Sequence, residues 1–175
     1  ERALVPRSPM AELIINGFVP WINIKNIQSV LDLCTGGGCI GISIAHYYQN
    51  LKVDISDISQ KALSLARENI ALHNKLDQVK VIESDLFEKM TQKYDLIVTN
   101  PPYVSDSEYI DLPEEYKNEP KLGLVSTQDG LTIPVKIFLE APRFLNDNGF
   151  LFLEVGHSDE LLDGVFSEIN IEWID

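Results

Sequence analysis

Apolar positions along the chain follow two periods. Short apolar runs of strand length cover Ser29 to Leu33, Val53 to Asp57, Val79 to Ile82, Tyr94 to Thr99 and Phe150 to Val155. Between them, Ile40, Ile42, Ile44 and Ala45, then Ala62, Leu63, Leu65, Ala66 and Ile70, recur at helical spacing, with Ser59 as a cap. Leu131 to Phe144 reads as a helix bent at Pro142, and Asn146 to Gly149 as a turn. Upstream, Ser8-Pro9 offers a hydroxyl cap and a proline at the first helical position, followed by Met10, Leu13 and Ile14 and stopped by Gly17. Pro20 to Gln28 is a connector; downstream, Glu160 to Phe166 reads as a helix and Ile169 to Trp173 as a sixth strand. Ser105 to Gly130 is polar and interrupted by Pro113 and Pro120, a loop long enough to expect function of it. Strands alternating with helices predict an α/β fold, a mostly parallel sheet with helices on both faces and right-handed crossovers.

In such sheets ligands gather at the carboxyl ends of the strands. Asp32, Asp57, Asp85 and Asn100 all fall at such ends. After the first strand, Thr35-Gly36-Gly37-Gly38 opens a helix, so backbone can approach a ligand lying over that helix's first turn. Asp57, about 20 residues further on, suits a ribose with two free hydroxyls, though taken alone it suits a helix N-cap or a solvated carboxylate better. Asp85, beside Leu86 and Phe87, suits an adenine amine, and equally a loop carboxylate next to the core.

The stiffest stretch is Asn100-Pro101-Pro102-Tyr103. Two prolines forbid both helix and central strand, and Asn100 before them is held extended. The corner carries one amide, a proline carbonyl without a ladder partner and an aromatic ring, which suits a planar NH2 group.

Composition narrows the partners. The 175 residues are 45% hydrophobic, enough for one substantial core. A formal charge of -13 repels nucleic-acid phosphates and attracts a basic protein. Cys34 and Cys39, the two cysteines, make neither a disulfide framework nor, with three scattered histidines, a metal pattern. No apolar run reaches membrane-spanning length and no signal peptide is read, so a cytoplasmic protein is expected. A first residue other than Met, and an end just after a strand-like segment, read as a fragment.

Taken together, these residues resemble the class I S-adenosylmethionine-dependent methyltransferases, whose fold is Rossmann-like, and more narrowly the protein-(glutamine N(5)) methyltransferases. The likeness rests on Asp32-Leu33-Cys34-Thr35-Gly36-Gly37-Gly38, Asp57-Ile58-Ser59, Ser84-Asp85-Leu86-Phe87, Asn100-Pro101-Pro102-Tyr103-Val104 and Leu153-Glu154-Val155-Gly156. Val5-Pro6-Arg7-Ser8-Pro9, Leu112-Pro113-Glu114-Glu115-Tyr116 and Glu119-Pro120 are similar to the branch that acts on the third large-subunit ribosomal protein. Gly37 stands where Ser is more common, Thr127 where a Gly often stands, and His157 where Asn is common.

The resemblance implies that Asp32 and Thr35 to Gly38 serve the methionine part of S-adenosylmethionine. Asp57 and Ile58 serve its ribose, and Asp85 and Leu86 border its adenine. Asn100, which also borders the cofactor, and the Pro101 carbonyl grip a substrate amide, with Pro102 and Tyr103 packed on it. It further implies that 1–28 are a lead-in helix and linker from an upstream helical domain, and that 29–175 are a catalytic domain truncated at its C-terminus. The expected substrate is a basic large-subunit ribosomal protein, with no metal, membrane or direct nucleic-acid contact. An adenine-N(6) nucleic-acid methyltransferase, or one acting on a release factor, remains as the alternative. A cofactor-binding module without catalysis is a further rival.

Overall fold

In the computed structural model, residues 2–3, 8–114, 120–127, 130–156, 162, 166 and 171–174 are described. The apolar runs become five strands: β1 Ser29–Leu33, β2 Lys52–Asp57, β3 Val79–Glu83, β4 Tyr94–Thr99 and β5 Leu145–Leu153. All pair in parallel, in the order β3-β2-β1-β4-β5. β1 and β4 are neighbours from which the chain winds outward in opposite directions, so the crevice above their carboxyl ends is the switch point.

Burial on both faces explains why these strands read as continuous apolar runs. Val30, Val53, Ile55, Leu96, Val98 and Phe152 face one helical layer, built from α1 Met10–Ile15, α2 Cys39–Tyr47 and α3 Gln60–Leu72. Leu31, Leu33 and Ile97 face the other, where Ile137 of α5 (Thr132–Glu140) and Ala141 pack with Phe87. Met10, Ile14, Phe18, Ile22 and Ile27 all join the first core, so residues 8–28 are packed onto the sheet rather than strung beside it.

Three details depart from the sequence reading. Pro9 is the N-cap of α1 rather than its first helical residue, and the Ser8 hydroxyl accepts from the Met10 N–H at 3.1 Å. The expected turn at 146–149 lies inside β5: Tyr94 pairs with Leu145 and Leu96 with Phe150, so the extra residues bulge out of the ladder. Asn148 takes a left-handed φ of 60° there, and the Asn146 amide anchors the bulge on Asp95 at 2.7 Å. The stretch 105–130 is not all loop. α4 Asp106–Asp111 opens with a capping box between Ser105 and Glu108, a Ser-x-x-Glu signal already in the sequence. Val104 then bridges to Val125, tying the two ends of the excursion together.

The expected sixth strand falls partly outside the described residues. Ile171 to Trp173, its described part, join no ladder; Ile171 packs against Val155, Leu162 and Phe166 through its side chain instead. The helix expected over 160–166 also lies mostly outside, with Phe166 donating to the Leu162 carbonyl at 2.9 Å.

Gly41 shows how closely α2 lies on the sheet. A Cβ there would come within 2.4 Å of Ile55 Cγ2 and 3.0 Å of Asp32 Oδ2. Gly41→Ala should therefore destabilise the chain by about 1–3 kcal/mol through overpacking. That cost outweighs the roughly 1 kcal/mol that alanine gains over glycine within a helix. Urea denaturation measures the difference, and a variant as stable as the parent would contradict the packing described.

Candidate active site

The glycine loop is held from below. Asp32 is fully buried, and its Oδ2 accepts from the Gly41 N–H at 2.8 Å and from the Thr35 hydroxyl. Gly41 lies in the first turn of α2, whose N–H groups have no helical partner, so the carboxylate joins strand end, loop and helix start. Cys34, Gly36 and Gly38 all have left-handed φ, of 57°, 57° and 86°, which folds the loop back over the strand. The Thr35 N–H donates to the Ser56 carbonyl at 2.9 Å, and the Asn69 amide donates to the Gly37 carbonyl at 2.8 Å. Burial pushes the Asp32 carboxyl up to about 7, against the opposing hydrogen bonds from Thr35 and Gly41, and its buried Oδ1 has no partner among the described residues.

β2 and β3 bring the second wall. Asp57 ends β2; its Oδ2 accepts from the Gly36 N–H and its Oδ1 from the Ser59 N–H, both at 2.8 Å. Desolvation raises its pKa, while those amides pull it back. Ser59 is the helix cap, as expected from the sequence, its hydroxyl accepting from the Ala62 N–H at 3.3 Å. Past β3, Asp85 is exposed, and Leu86 is buried with a φ of 43°, a left-handed conformation that bulky side chains rarely adopt. The Ser84 hydroxyl fastens this turn, donating to the Leu86 carbonyl at 2.8 Å and accepting from the Lys89 N–H at 3.0 Å.

β4 delivers the proline corner. The Thr99 hydroxyl donates to the Leu33 carbonyl at 2.8 Å, so the corner starts beside the glycine loop. Asn100 is half-buried and Pro101 and Pro102 are buried. The Tyr103 phenol donates to Glu154 at 3.2 Å.

These elements surround one cavity of about 370 Å³, within the range of small-molecule sites. Of the residues singled out from sequence, Thr35, Gly36, Asp57, Ile58, Asp85, Leu86, Asn100 and Pro102 line it. Asp32, Gly37, Gly38, Pro101 and Tyr103 do not. Asp32 acts through Thr35 and Gly41, beneath the loop. Sequence reasoning missed Thr132, Ile133 and Lys136, which α5 contributes from the far wall. No motif marks them; only the partly polar face of that helix hinted at exposure. Pro120, Leu122 and Gly123, from the excursion expected to be functional, form part of the rim.

The lining fits an adenosyl sulfonium. Leu33, Ile40, Leu86 and Ile133 make flat apolar walls, and Asp57 and Asp85 supply negative charge. The Arg2 guanidinium at the rim is paired with Glu68 at 2.5 and 2.8 Å. Among the described residues no cluster of His, Cys, Asp and Glu is placed to hold a metal, and no helix is long and apolar enough to cross a membrane.

A cavity at this switch point, fed with carboxylates by β2 and β3, belongs to the Rossmann-like methyltransferases. Solved structures of similar fold include a ribosomal protein L11 methylase from Lactobacillus delbrueckii, 20% identical, TM-score 0.59, over 95% of this chain and 70% of that one. The hMettl16 catalytic domain is 16% identical with TM-score 0.61, over 81% of this chain and 54% of that one. At such identities the likeness is one of fold.

The chain belongs to the Methyltransferase small domain family, which matches residues 17–114. Among curated relatives, a ribosomal protein uL3 glutamine methyltransferase from Francisella tularensis is 47% identical over 99% of this chain and 56% of that protein. One of the same name from Xanthomonas campestris is 49% identical, over 99% and 56%, and one from Neisseria gonorrhoeae 42% identical, over 100% and 59%. The chain thus spans a little over half the length of these relatives.

The buried Asp32 gives a pH dependence. A carboxyl raised from 3.8 to about 7 keeps its proton in the folded chain where the unfolded chain releases it. Its contribution to stability is therefore complete below about pH 3.8 and is lost as pH rises through about 7. Asp32→Asn keeps an acceptor for Thr35 and Gly41 but cannot ionise. Between roughly pH 5 and 8, the window that brackets the folded value, its melting temperature should gain steadily on the parent's. A pH-independent difference between the two would refute the buried, raised carboxyl.

Proposed function

We propose that this chain is the methyl-transferring part of a protein-glutamine methyltransferase, using S-adenosylmethionine to methylate the side-chain amide of a glutamine in ribosomal protein uL3. One observation carries the reading: beside the cavity, the proline corner offers two acceptors with no protein donor among the described residues, the Asn100 side-chain oxygen and the Pro101 carbonyl. Asn100 lines that cavity and Pro101 is its chain neighbour, and acceptors left open beside a ligand cavity call for donors on a ligand. A primary amide supplies two on one planar nitrogen.

The names borne by the relatives supply the substrate class. The -13 charge suits a basic ribosomal protein and disfavours nucleic acid as the target. The proposed site is cytoplasmic, where ribosomal proteins meet their modifying enzymes.

An amide nitrogen is a poor nucleophile because its lone pair is delocalised into the carbonyl. With one N–H donating to Asn100 and the other to Pro101, the nitrogen is held so that its lone pair faces the cavity. When bound, S-adenosylmethionine supplies an electrophilic methyl whose bonding electrons stay with sulfur. Thr35, Gly36, Asp57, Ile58, Asp85 and Leu86 fix that donor against the corner. Asp57 retains lone pairs beyond those taken by Gly36 and Ser59 for two ribose hydroxyls. The nitrogen's proton leaves after transfer, when the nitrogen is acidic, so no general base is required of the protein. The chain's contribution is alignment, which supplies several and up to ~10 kcal/mol.

Asn100→Ala should lower turnover on uL3 about a hundredfold or more while cofactor affinity stays within about threefold. Unchanged turnover would remove Asn100 from the reaction. Asp57→Ala should weaken cofactor binding by about tenfold or more, since a hydrogen bond to a charged group contributes roughly 1.5–3 kcal/mol. Calorimetry reads this directly, and unaltered affinity would take the ribose away from Asp57. Mass spectrometry of ribosomal proteins from cells with and without the gene tests the whole reading. One added methyl on a uL3 glutamine supports it; a methyl on adenine, or on a release factor, selects the alternative.

A further inference from the structure

The Tyr103 ring stands outside the cavity lining, and what holds it there is specific. Its phenol donates to Glu154 Oε1 at 3.2 Å. Glu154 is the residue just past β5, and its backbone N–H donates to the Thr99 carbonyl at 3.0 Å, directly before the corner. Its second carboxylate oxygen, Oε2, accepts from the hydroxyl of Ser8, at the start of the segment that leads into α1. The ring lies on Gly156, where any Cβ would come within 2.7 Å of Cε2. The Tyr103 carbonyl lies against Gly130, where a Cβ would come within 2.0 Å. Upstream the corner is fixed by the Thr99 hydroxyl on the Leu33 carbonyl. Downstream, among the described residues, the Tyr103 phenol rests on a carboxylate that is also held by a distant part of the chain.

We propose that Glu154 is a positioning residue for methyl transfer: through the Tyr103 phenol, and braced by Ser8, it sets the angle at which the Asn-Pro-Pro-Tyr corner presents the Asn100 and Pro101 acceptors. This rests on the amide-gripping reading of that corner. A carboxylate suits the task because hydrogen bonds to an ionised acceptor are roughly twice as strong as neutral ones and it can take two donors at once. It does not touch the cavity, so it acts on aim and not on cofactor binding. Because the brace comes from Ser8, any shift of the segment before α1 is transmitted to the corner.

The test is a double-mutant cycle of Glu154→Ala and Tyr103→Phe, with turnover on uL3 and cofactor affinity measured for each. Each single variant should lower kcat by about tenfold, within the up to 10²-fold that a 1 Å misplacement costs. The double should fall no further than the worse single, because both changes cut the same link. Cofactor Kd should stay unchanged, and Glu154→Gln, which keeps an acceptor for the phenol, should recover most of the lost turnover. Parental turnover in Glu154→Ala, or a double variant that loses the product of the two single effects, overturns the proposal. Should Glu154→Ala not fold, Ser8→Ala replaces it in the cycle. Its loss should then vanish in the Tyr103→Phe background, and a loss that persists there overturns the proposal equally. Asn100→Ala run alongside separates the two claims. If it abolishes turnover while Glu154→Ala keeps the parental rate, only the positioning role fails; if it retains turnover, the amide-gripping reading fails and this inference with it.

Discussion

Leu33 and Thr99 stand opposite each other where β1 and β4 end, and the Thr99 hydroxyl donates to the Leu33 carbonyl at 2.8 Å. The next residues on one side are the glycine loop, and on the other the proline corner. A shift of this register by one residue would exchange the side chains packed against the two helical layers, leaving voids or overpacking on both faces. The distance between glycine loop and corner is thus set by the same packing that makes the core. Neither segment needs to find the other, since the parallel pairing delivers both to one rim.

Around that junction, carboxylates do different work according to burial. Asp32 has no access to solvent and serves as an internal brace, holding Thr35 and the start of α2. Asp57 lines the cavity and already holds two backbone amides. Asp85 is exposed at the rim. Glu154 links the Tyr103 phenol to the Ser8 hydroxyl without reaching the cavity. Four acids in one small region thus divide into two that face the ligand space and two that hold its walls.

Much of this was legible in the sequence because periodicity reports burial and the strand ends are where the chemistry lies. β1, β3 and β4 were located from their apolar runs, as was Ser59 as a cap. Other features were hidden for physical reasons. Asp32 sits in a motif that suggests ligand contact, but only three-dimensional packing shows Gly41 pressed against its carboxylate. The bulge at 146–149 carries turn residues, and nothing local reveals that the ladder resumes on either side. Thr132, Ile133 and Lys136 reach the cavity only because the β4–β5 crossover lays α5 beside it. The Ser8–Glu154–Tyr103 link joins residues with no sequence pattern in common. By contrast, α4 is announced by the Ser105-x-x-Glu108 capping box, which the polarity and prolines of the surrounding stretch mask.

The proposed function turns on two acceptors at a rigid corner that would take the two hydrogens of a flat amide. The most direct measurement is a crystal structure with S-adenosylhomocysteine and a glutamine-bearing uL3 peptide. The account predicts the glutamine nitrogen at about 2.7–3.2 Å from both the Asn100 side-chain oxygen and the Pro101 carbonyl. An amide bound elsewhere, or Asn100 turned into the protein and bonded there, would contradict it.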